Sequence, residues 1–326
     1  MRTTLLLSTL FVILISCDQK CKTLPEAEKL RKDIDVQNFD SEILKLQDSS
    51  DVINWLEKEK LFADKFLQQY GYADQQVLYR QMLGIKDDPY LDSLRFQTNK
   101  LFESQSAWVN DLEMLFAYTK YYFPNFFIPK VGTVITGFNT DLFYDDSLLV
   151  ISLDYFATQN TTYKPDIPQY MMDRYYPQSI AAITGLLISS EYNEINELDQ
   201  SLLAEMIYYG KAYYFLQKVL PCVADTTLLG YSTEELAQIE RIKSTAWSYI
   251  LEKEHLFKSE HRIVNKYVGE RPYIAEIGPE CPGRIGRWFG LQMVKNYAKK
   301  HPEMSLSQIM AMPDAKQMFQ ESKYKP

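Results

Sequence analysis

The stretch that decides the fold runs from Leu202 to Leu220 and reads LLAEMIYYGKAYYFLQKVL. Its apolar residues recur at helical spacing, and Asp199 ahead of it can cap a helix, because a carboxylate accepts hydrogen bonds from free backbone N–H groups. Pro221 cannot continue a helix, so the pattern predicts one helix over 199–220. We interpret this segment as a buried amphipathic helix.

The residues that follow this helix predict further helices. The segment Ser232–Glu235 has the spacing of a capping box ahead of a helix that carries Trp247 on its apolar side. The motif GRIGRW at Gly283–Trp288 predicts a tight turn into a helix that ends near Lys300, and Ser305 caps a last short helix. The C-terminal half is therefore expected to be helical.

The residues before this helix predict a second helical layer and a small sheet. Apolar residues at helical spacing predict helices at 41–46, 51–70 with Asp51 as its cap, 73–83, 89–122 and 178–190. Two β-rich runs, 131–138 and 148–153, are joined by a polar turn and predict a hairpin or a pair of strands. The fold class is therefore α+β and predominantly helical, with one domain over residues 36–326.

The first residues predict export and a lipid anchor. Arg2 precedes an apolar run from Leu5 to Ile15, which is too short to cross a hydrocarbon core of about 30 Å. The residues LISC at Leu14–Cys17 match the bacterial lipobox, in which the cysteine is acylated. We expect residues 1–16 to be a signal peptide, Cys17 to carry palmitate and other acyl chains, and residues 17–35 to be a polar tether. The alternative is an ordinary secretory signal with a chance cysteine.

This reading places the protein in the cell envelope, outside the cytoplasm and attached to a membrane through the N-terminal lipid. The residues after Cys17 do not decide between the inner and the outer membrane. The formal net charge of −8 argues against nucleic acid as a partner, because nucleic acid binding rewards clustered cations. A hydrophobic content of 46% excludes a disordered chain and predicts a packed interior.

The cysteines beyond Cys17 permit one disulfide in an extracytoplasmic protein. Among Cys21, Cys222 and Cys281, the pair Cys222 and Cys281 is the expected one, because both lie in the folded body while Cys21 lies in the tether. The sequence does not fix the distance between them, so free thiols remain the alternative.

The chain lacks the motifs of common catalytic sites: HExxH, GxSxG, the P-loop and the dinucleotide-binding glycine pattern. The segment AEMIY at Ala204–Tyr208 keeps the glutamate of HExxH but replaces both histidines, and neither alanine nor a neutral phenol is a usual zinc ligand. It is either a degenerate peptidase helix or a plain helix whose Glu205 pairs with a cation such as Arg284 or Arg287. We expect no metal, no cofactor and no catalysis.

Several passages together carry a family resemblance. They are ISLDYF at 151–156, EMIYYGK at 205–211, YFL at 214–216, LP at 220–221, GYS at 230–232, GRIGRWFG at 283–290 and SKYKP at 322–326. In this order, and behind a lipobox, they resemble the gliding motility lipoproteins called GldB, found in Bacteroidetes. The resemblance covers nearly the whole chain.

The resemblance implies a lipoprotein needed for gliding motility and associated with type IX protein secretion. It also implies a fold related to zinc peptidases that have lost their metal ligands. We therefore expect a non-catalytic protein that binds protein partners of the gliding or secretion machinery. The expected binding groove is bordered by Glu205, Tyr208, Tyr209, Lys211, Arg284 and Arg287.

An edge strand would pair with an extended partner through main-chain hydrogen bonds in such a groove, and we expect 131–138 or 148–153 to supply it. Two alternatives stay open at this point. One is a metal-dependent peptidase or other hydrolase with unrecognised ligands. The other is a structural component that has no defined pocket.

Overall fold

The structure is a computed structural model that describes residues 21–103 and 106–326. Its helices outnumber its strands throughout these ranges, which confirms the predominantly helical α+β class. The signal peptide predicted at 1–16 and the predicted lipidation site Cys17 lie outside the described residues. Within the described ranges, no helix combines the length and the apolar character that crossing a membrane requires.

The described residues form α-helices, short 3-10 helices and four strands. The α-helices are α1 (Pro25–Glu28), α2 (Phe39–Ile43), α3 (Ser49–Lys58), α4 (Lys60–Lys65), α5 (Gln75–Gly84), α6 (Pro89–Phe102), α7 (Ala107–Tyr122), α8 (Gln169–Met172), α9 (Ile180–Ser190), α10 (Leu202–Val219), α11 (Asp225–Leu229), α12 (Thr233–Glu252), α13 (His261–Val268), α14 (Ile285–Lys300), α15 (Leu306–Met310) and α16 (Ala315–Ser322). Short 3-10 helices lie at Gln69–Gly71, Ile85–Asp87, Tyr155–Ala157 and Pro177–Ser179. The strands are β1 (Val36–Asn38), β2 (Lys130–Val134), β3 (Leu142–Tyr144) and β4 (Leu148–Ser152).

The four strands form one mixed sheet in the order β1-β2-β4-β3. The strand β2 pairs in parallel with both β1 and β4, and β3 pairs antiparallel with β4. The two predicted runs are therefore confirmed as a pair of strands in a small sheet. The hairpin alternative is wrong, because the polar segment between the two runs contributes β3 to the far side of β4. The two runs are the central strands of the sheet, so neither of them offers the edge expected for an extended partner.

Helices cover both faces of this sheet. On one face, Phe39, Trp55 and Phe62 from α2, α3 and α4 pack with Leu148 and Val150 of β4. On the other face, Leu149 and Ile151 join a larger core that includes α7, α9, α10 and α14. Every residue of β4 is buried, as expected for a parallel strand covered on both sides.

Some of the predicted capping residues cap their helices in the structure and others do not. Ser232 and Ser305 form the predicted capping boxes at the starts of α12 and α15. Asp48 rather than Asp51 caps α3. Ser201 rather than Asp199 caps α10, because its hydroxyl accepts the free N–H of Ala204.

The N-terminal segment packs against the body instead of hanging free. The Leu24 N–H donates to the Tyr118 hydroxyl at 2.9 Å, and Arg31 pairs with Glu113 at 3.3 Å. These contacts hold α1 against α7. The predicted tether is therefore wrong for residues 21–35.

The disulfide joins this segment to the end of α10. Cys21 is bonded to Cys222 with their Cα atoms 5.0 Å apart, so the expected bridge between Cys222 and Cys281 is wrong. Cys222 is exposed beside the packed N-terminal segment, whereas Cys281 is free and buried just before α14. Burial raises the pKa of the Cys281 thiol to about 12, which makes it unreactive.

Helices α10 and α14 pack backbone against backbone. Gly210 of α10 lies against Gly290 of α14, and a Cβ on either glycine would overlap the backbone of the other helix. A Cβ on Gly290 would overlap the carbonyl oxygen of Met206. The two backbones touch because no side chain separates them.

We expect Gly290→Ala to lower the free energy of unfolding by about 2 kcal/mol or more, because the added methyl group must push two packed helices apart. Chemical denaturation followed by circular dichroism measures this change. The control is Gly84→Ala, since an added Cβ there meets no atom within 4 Å and φ is −75°. The control is expected to leave stability unchanged or to raise it by about 0.5 kcal/mol. Equal stability of both variants would contradict the helix contact.

Candidate partner groove at the start of α10

An open groove of about 840 Å³ lies where the first turns of α10 meet α13, the start of α14 and the loop before α10. Glu205 and Tyr209 reach it from α10 because they lie one helical turn apart on the same face. Arg287 reaches it from the first turn of α14. These three predicted site residues therefore come together at one surface.

Three arginines converge on the carboxylate of Glu270 beside this groove. The distances to its oxygens are 2.6 Å from Arg174, 3.6 Å from Arg284 and 3.2 Å from Arg287. Burial alone would raise the pKa of Glu270, but the three cations together lower it below its usual value. Glu270 is therefore an ionised centre that holds the segments after α8 and α13 to the start of α14.

Arg287 forms the wall between the groove and a second cavity. Its Nε donates to the Val268 carbonyl at 2.6 Å, and its guanidinium lies 4.1 Å from the centre of the Tyr209 ring. The second cavity, of about 200 Å³, is bordered by Arg174, Arg284 and Arg287 on its charged side. The guanidinium is thus held in one orientation by three different kinds of contact.

Arg284 is a structural residue behind this wall. It is buried, and it donates to the carbonyl oxygens of Leu229, at 3.1 Å, and of Gly230. Its guanidinium also lies 4.5 Å from the centre of the Tyr231 ring. The sequence placed Arg284 on the groove, whereas in the structure it borders the second cavity.

Glu205 does not form the ion pair that the sequence suggested. Arg284 and Arg287 pair with Glu270 instead, and Glu205 takes part in no salt bridge within the described ranges. Burial raises the pKa of Glu205, while the charge of Arg287 opposes this change. Glu205 is therefore a half-buried carboxyl group that faces the groove.

Lys211 lies beneath the groove and fastens its loop. Its ammonium group donates to the carbonyl oxygens of Glu194 at 2.6 Å, Met310 at 3.0 Å and Met312 at 2.9 Å. Burial lowers the pKa of Lys211 to about 8. Tyr208 borders a separate cavity of about 160 Å³ together with Lys211. Lys211 and Tyr208 therefore support the groove without lining it.

The sequence missed the residues that give the groove its character. Glu197 and Asp199 line it beside Glu205, and none of the three carboxylates forms a salt bridge in the part of the chain that the structure describes. Ile195 on the same loop is 52% exposed and Leu198 is 95% exposed. The loop at residues 195–199 forms the rim of the groove. This rim is acidic and carries exposed apolar side chains.

Glu270 and Arg174 were missed for a different reason. Each lies in a loop with no local pattern, and their contact joins positions 96 residues apart. Tyr231 had a signal, because it belongs to the GYS segment at 230–232. Charge partners across such a separation leave no periodic trace in one sequence.

The histidines lie apart in the structure. His255 is 2.7 Å from the Tyr267 hydroxyl through Nδ1, and His301 lies near Glu303 and Glu321. His261 lines the groove. Across residues 21–103 and 106–326, no group of three or more His, Cys, Asp or Glu side chains is placed to hold a metal ion.

One family model matches this chain, and its description is gliding motility protein GldB. The match covers residues 20–326, which includes the groove, the arginine cluster and both cysteines of the disulfide. No curated protein and no solved structure matches the chain.

We expect Glu270→Gln to lower the free energy of unfolding by about 2 kcal/mol at neutral pH, because three guanidinium groups lose their shared counter-charge. Denaturant titration measures the loss. The control is Glu276→Gln in the same loop, which removes the pair between the exposed Glu276 and the half-buried Lys266 and should cost about 0.5 kcal/mol.

The pH dependence tests the same cluster. Because the pKa of Glu270 in the folded protein lies below its ordinary value of 4.5, its ionised form adds stability above that pH. This contribution is lost as the pH falls through the folded-state pKa. The wild type should therefore lose more stability than Glu270→Gln on acidification, and parallel losses would contradict the assignment.

We expect Lys211→Met to lower the free energy of unfolding by about 3 kcal/mol, because three buried or partly buried hydrogen bonds to carbonyl oxygens are lost. The control is Lys218→Met on the same helix, where the ammonium group lies over the Tyr214 ring and the expected loss is below about 1 kcal/mol. Thermal or chemical denaturation compares the two variants. Equal losses would show that Lys211 does not fasten the loop.

Proposed function

The chain belongs to the GldB family of gliding motility proteins, and from this premise we propose that it is a lipid-anchored envelope protein that binds a protein partner through the groove at the start of α10. The partner belongs to the gliding or type IX secretion machinery, and binding involves no catalysis. The observation that carries this proposal is the acidic rim with exposed apolar side chains.

The chemistry of the rim fits an extended partner segment that carries both basic and apolar side chains. Glu197, Asp199 and Glu205 offer carboxylates, while Ile195 and Leu198 offer apolar surface. Complementary charge steers such a segment to the groove, and burial of the apolar groups supplies affinity.

The groove is also ordered before a partner arrives. Lys211 holds the Glu194 carbonyl oxygen at 2.6 Å, and the Glu194 N–H donates to the Met310 carbonyl at 3.1 Å. A loop fixed in this way loses little conformational entropy on binding. The support from Lys211 therefore favours a recognition surface over a loose connection.

Contact is favoured over cleavage by the residues around Glu205. In the helical register of a zinc peptidase, the metal ligands would occupy the positions of Ala204 and Tyr208. The cation that acts on Glu205 is Arg287, which is already engaged with Glu270 and Val268. These surroundings suit ionic contact with a partner.

The lipid anchor at Cys17 and the extracytoplasmic location belong to the same proposal. The lipobox at 14–17 supports the anchor. The disulfide between Cys21 and Cys222 supports an oxidising compartment, since disulfides persist outside the cytoplasm.

We expect the double substitution Glu197→Lys and Leu198→Ser to abolish colony spreading of a gliding bacterium whose own family member is replaced by this protein, because it reverses charge and removes apolar surface on the rim. The matched control is Ile53→Ser with Glu57→Lys, which makes the same two changes on the exposed face of α3. Protein level in the membrane fraction is measured for both. Normal spreading of the rim variant would reject the groove as the binding site.

We expect Glu205→Gln to reduce spreading only slightly, because one of several carboxylates is lost while the shape is kept. A hydrolase that uses Glu205 as general base would instead lose its function completely. Metal analysis of protein purified without chelators provides an independent test. Stoichiometric metal together with complete loss in Glu205→Gln would replace this proposal with the hydrolase.

A further inference from the structure

We infer that the surface around Cys222 rests on the phospholipid headgroups of the membrane that carries the anchor, and that α10 holds the groove away from that membrane. The inference depends on the proposed lipid anchor at Cys17. It adds an orientation and a second contact surface to that proposal, with lipid as the partner.

The chain between the proposed anchor and the described body is short. Cys21 is four positions after Cys17, so the two Cα atoms are at most about 14 Å apart. The Cα atom of Cys222 lies 5.0 Å from that of Cys21. The surface at Cys222 therefore stays within about 20 Å of the lipid-bearing residue, whatever path the short connection takes.

The N-terminal segment is attached to the body at more than one place. Beyond the disulfide, the Leu24 N–H donates to the Tyr118 hydroxyl, and α1 packs on α7. Without the disulfide, Leu24 would be the first attached residue, and the connection would lengthen to about 25 Å. The disulfide thus shortens the connection and, together with α1, limits rotation of the body on its anchor.

The C-terminal ends of α7 and α10 carry tyrosine and lysine side chains. Tyr121 and Tyr122, at the end of α7, have ring centres 5.0 Å apart. Burial, together with the neighbouring phenols of Tyr121, Tyr214 and Tyr118, raises the pKa of Tyr122 to about 12. Lys218 extends over the Tyr214 ring at 5.1 Å. Tyrosine and lysine are the side chains that favour the boundary between lipid and water, because each joins an apolar body to a polar end.

Helix α10 runs from the groove toward Cys222. The helix begins beside the groove at Leu202 and ends at Val219, three residues before Cys222. Glu205 and Val219 are therefore separated by about 20 Å along the helix axis. The groove lies at the far end of this helix, where a partner in the aqueous compartment can reach it.

Energy transfer to the membrane tests the orientation. The full lipidated protein carries a donor fluorophore, introduced as a noncanonical amino acid, at either Ala224 or Leu198, both of which are exposed. It is placed in vesicles of phosphatidylethanolamine and phosphatidylglycerol with acceptor dye on the headgroups. Transfer from position 224 should exceed transfer from position 198 by about twofold or more, because the helix separates the two ends by about 20 Å.

The disulfide is tested in the same assay. Cys21→Ser with Cys222→Ser keeps Cys17 and α1, and it should reduce the difference between the two positions by about half, because the connection lengthens from about 14 Å to about 25 Å. The control Cys281→Ala leaves the disulfide intact and should keep the full difference. An unchanged difference in the double variant would overturn the role of the disulfide.

Flotation with the vesicles separates this inference from the proposal on which it rests. Protein that floats but shows equal transfer from both positions overturns the orientation alone. Protein that does not float overturns the anchor at Cys17, and the orientation with it. Flotation with stronger transfer from position 224 supports both.

Discussion

The contact between the backbones of α10 and α14 at Gly210 and Gly290 is the constraint on which the rest of the structure depends. It fixes how deeply the first turn of α14 sits over α10, so that the Arg287 guanidinium covers the Tyr209 ring. A wider separation of the helices would remove the Arg287 guanidinium from the Tyr209 ring. The groove and the second cavity are therefore two sides of one helix crossing.

Cations and carboxylates near this crossing lie in different environments. The cations are turned inward, where Arg284 and Lys211 donate to backbone carbonyl oxygens and the three arginines share Glu270. A buried cation is stable only where its donors are satisfied, and carbonyl oxygens meet that need without adding a counter-charge. The carboxylates of the rim are left facing the groove. The acidic surface thus follows from the way the core is held together.

The sequence predicted the parts of the fold that depend on neighbouring residues. Capping boxes at Ser232 and Ser305 and the apolar run around Leu149 are local patterns, and they marked the right elements. The parallel pairing of β2 with β4, the partner of Cys222 and the position of Glu270 were wrong or missing. Each depends on a contact between distant parts of the chain, which a single sequence does not display. At the site, the residues on α10 could be predicted because helical spacing groups them, whereas the loop rim could not.

The two ends of α10 have different roles: the disulfide attaches the N-terminal segment next to the C-terminal end, and the groove lies at the N-terminal end. Pro221 ends the helix immediately before Cys222, so the bond to Cys21 attaches the N-terminal segment at the end of the same helix whose first turns form the groove. Under the proposed function, a partner that pulls on the groove would load the helix along its axis, and backbone hydrogen bonds and the packing around Gly210 would resist that load. Without such a connection, a load would first extend flexible chain. Under the proposed function, the partner and the lipid anchor would thus act at opposite ends of one helix, joined to the N-terminal segment by the disulfide.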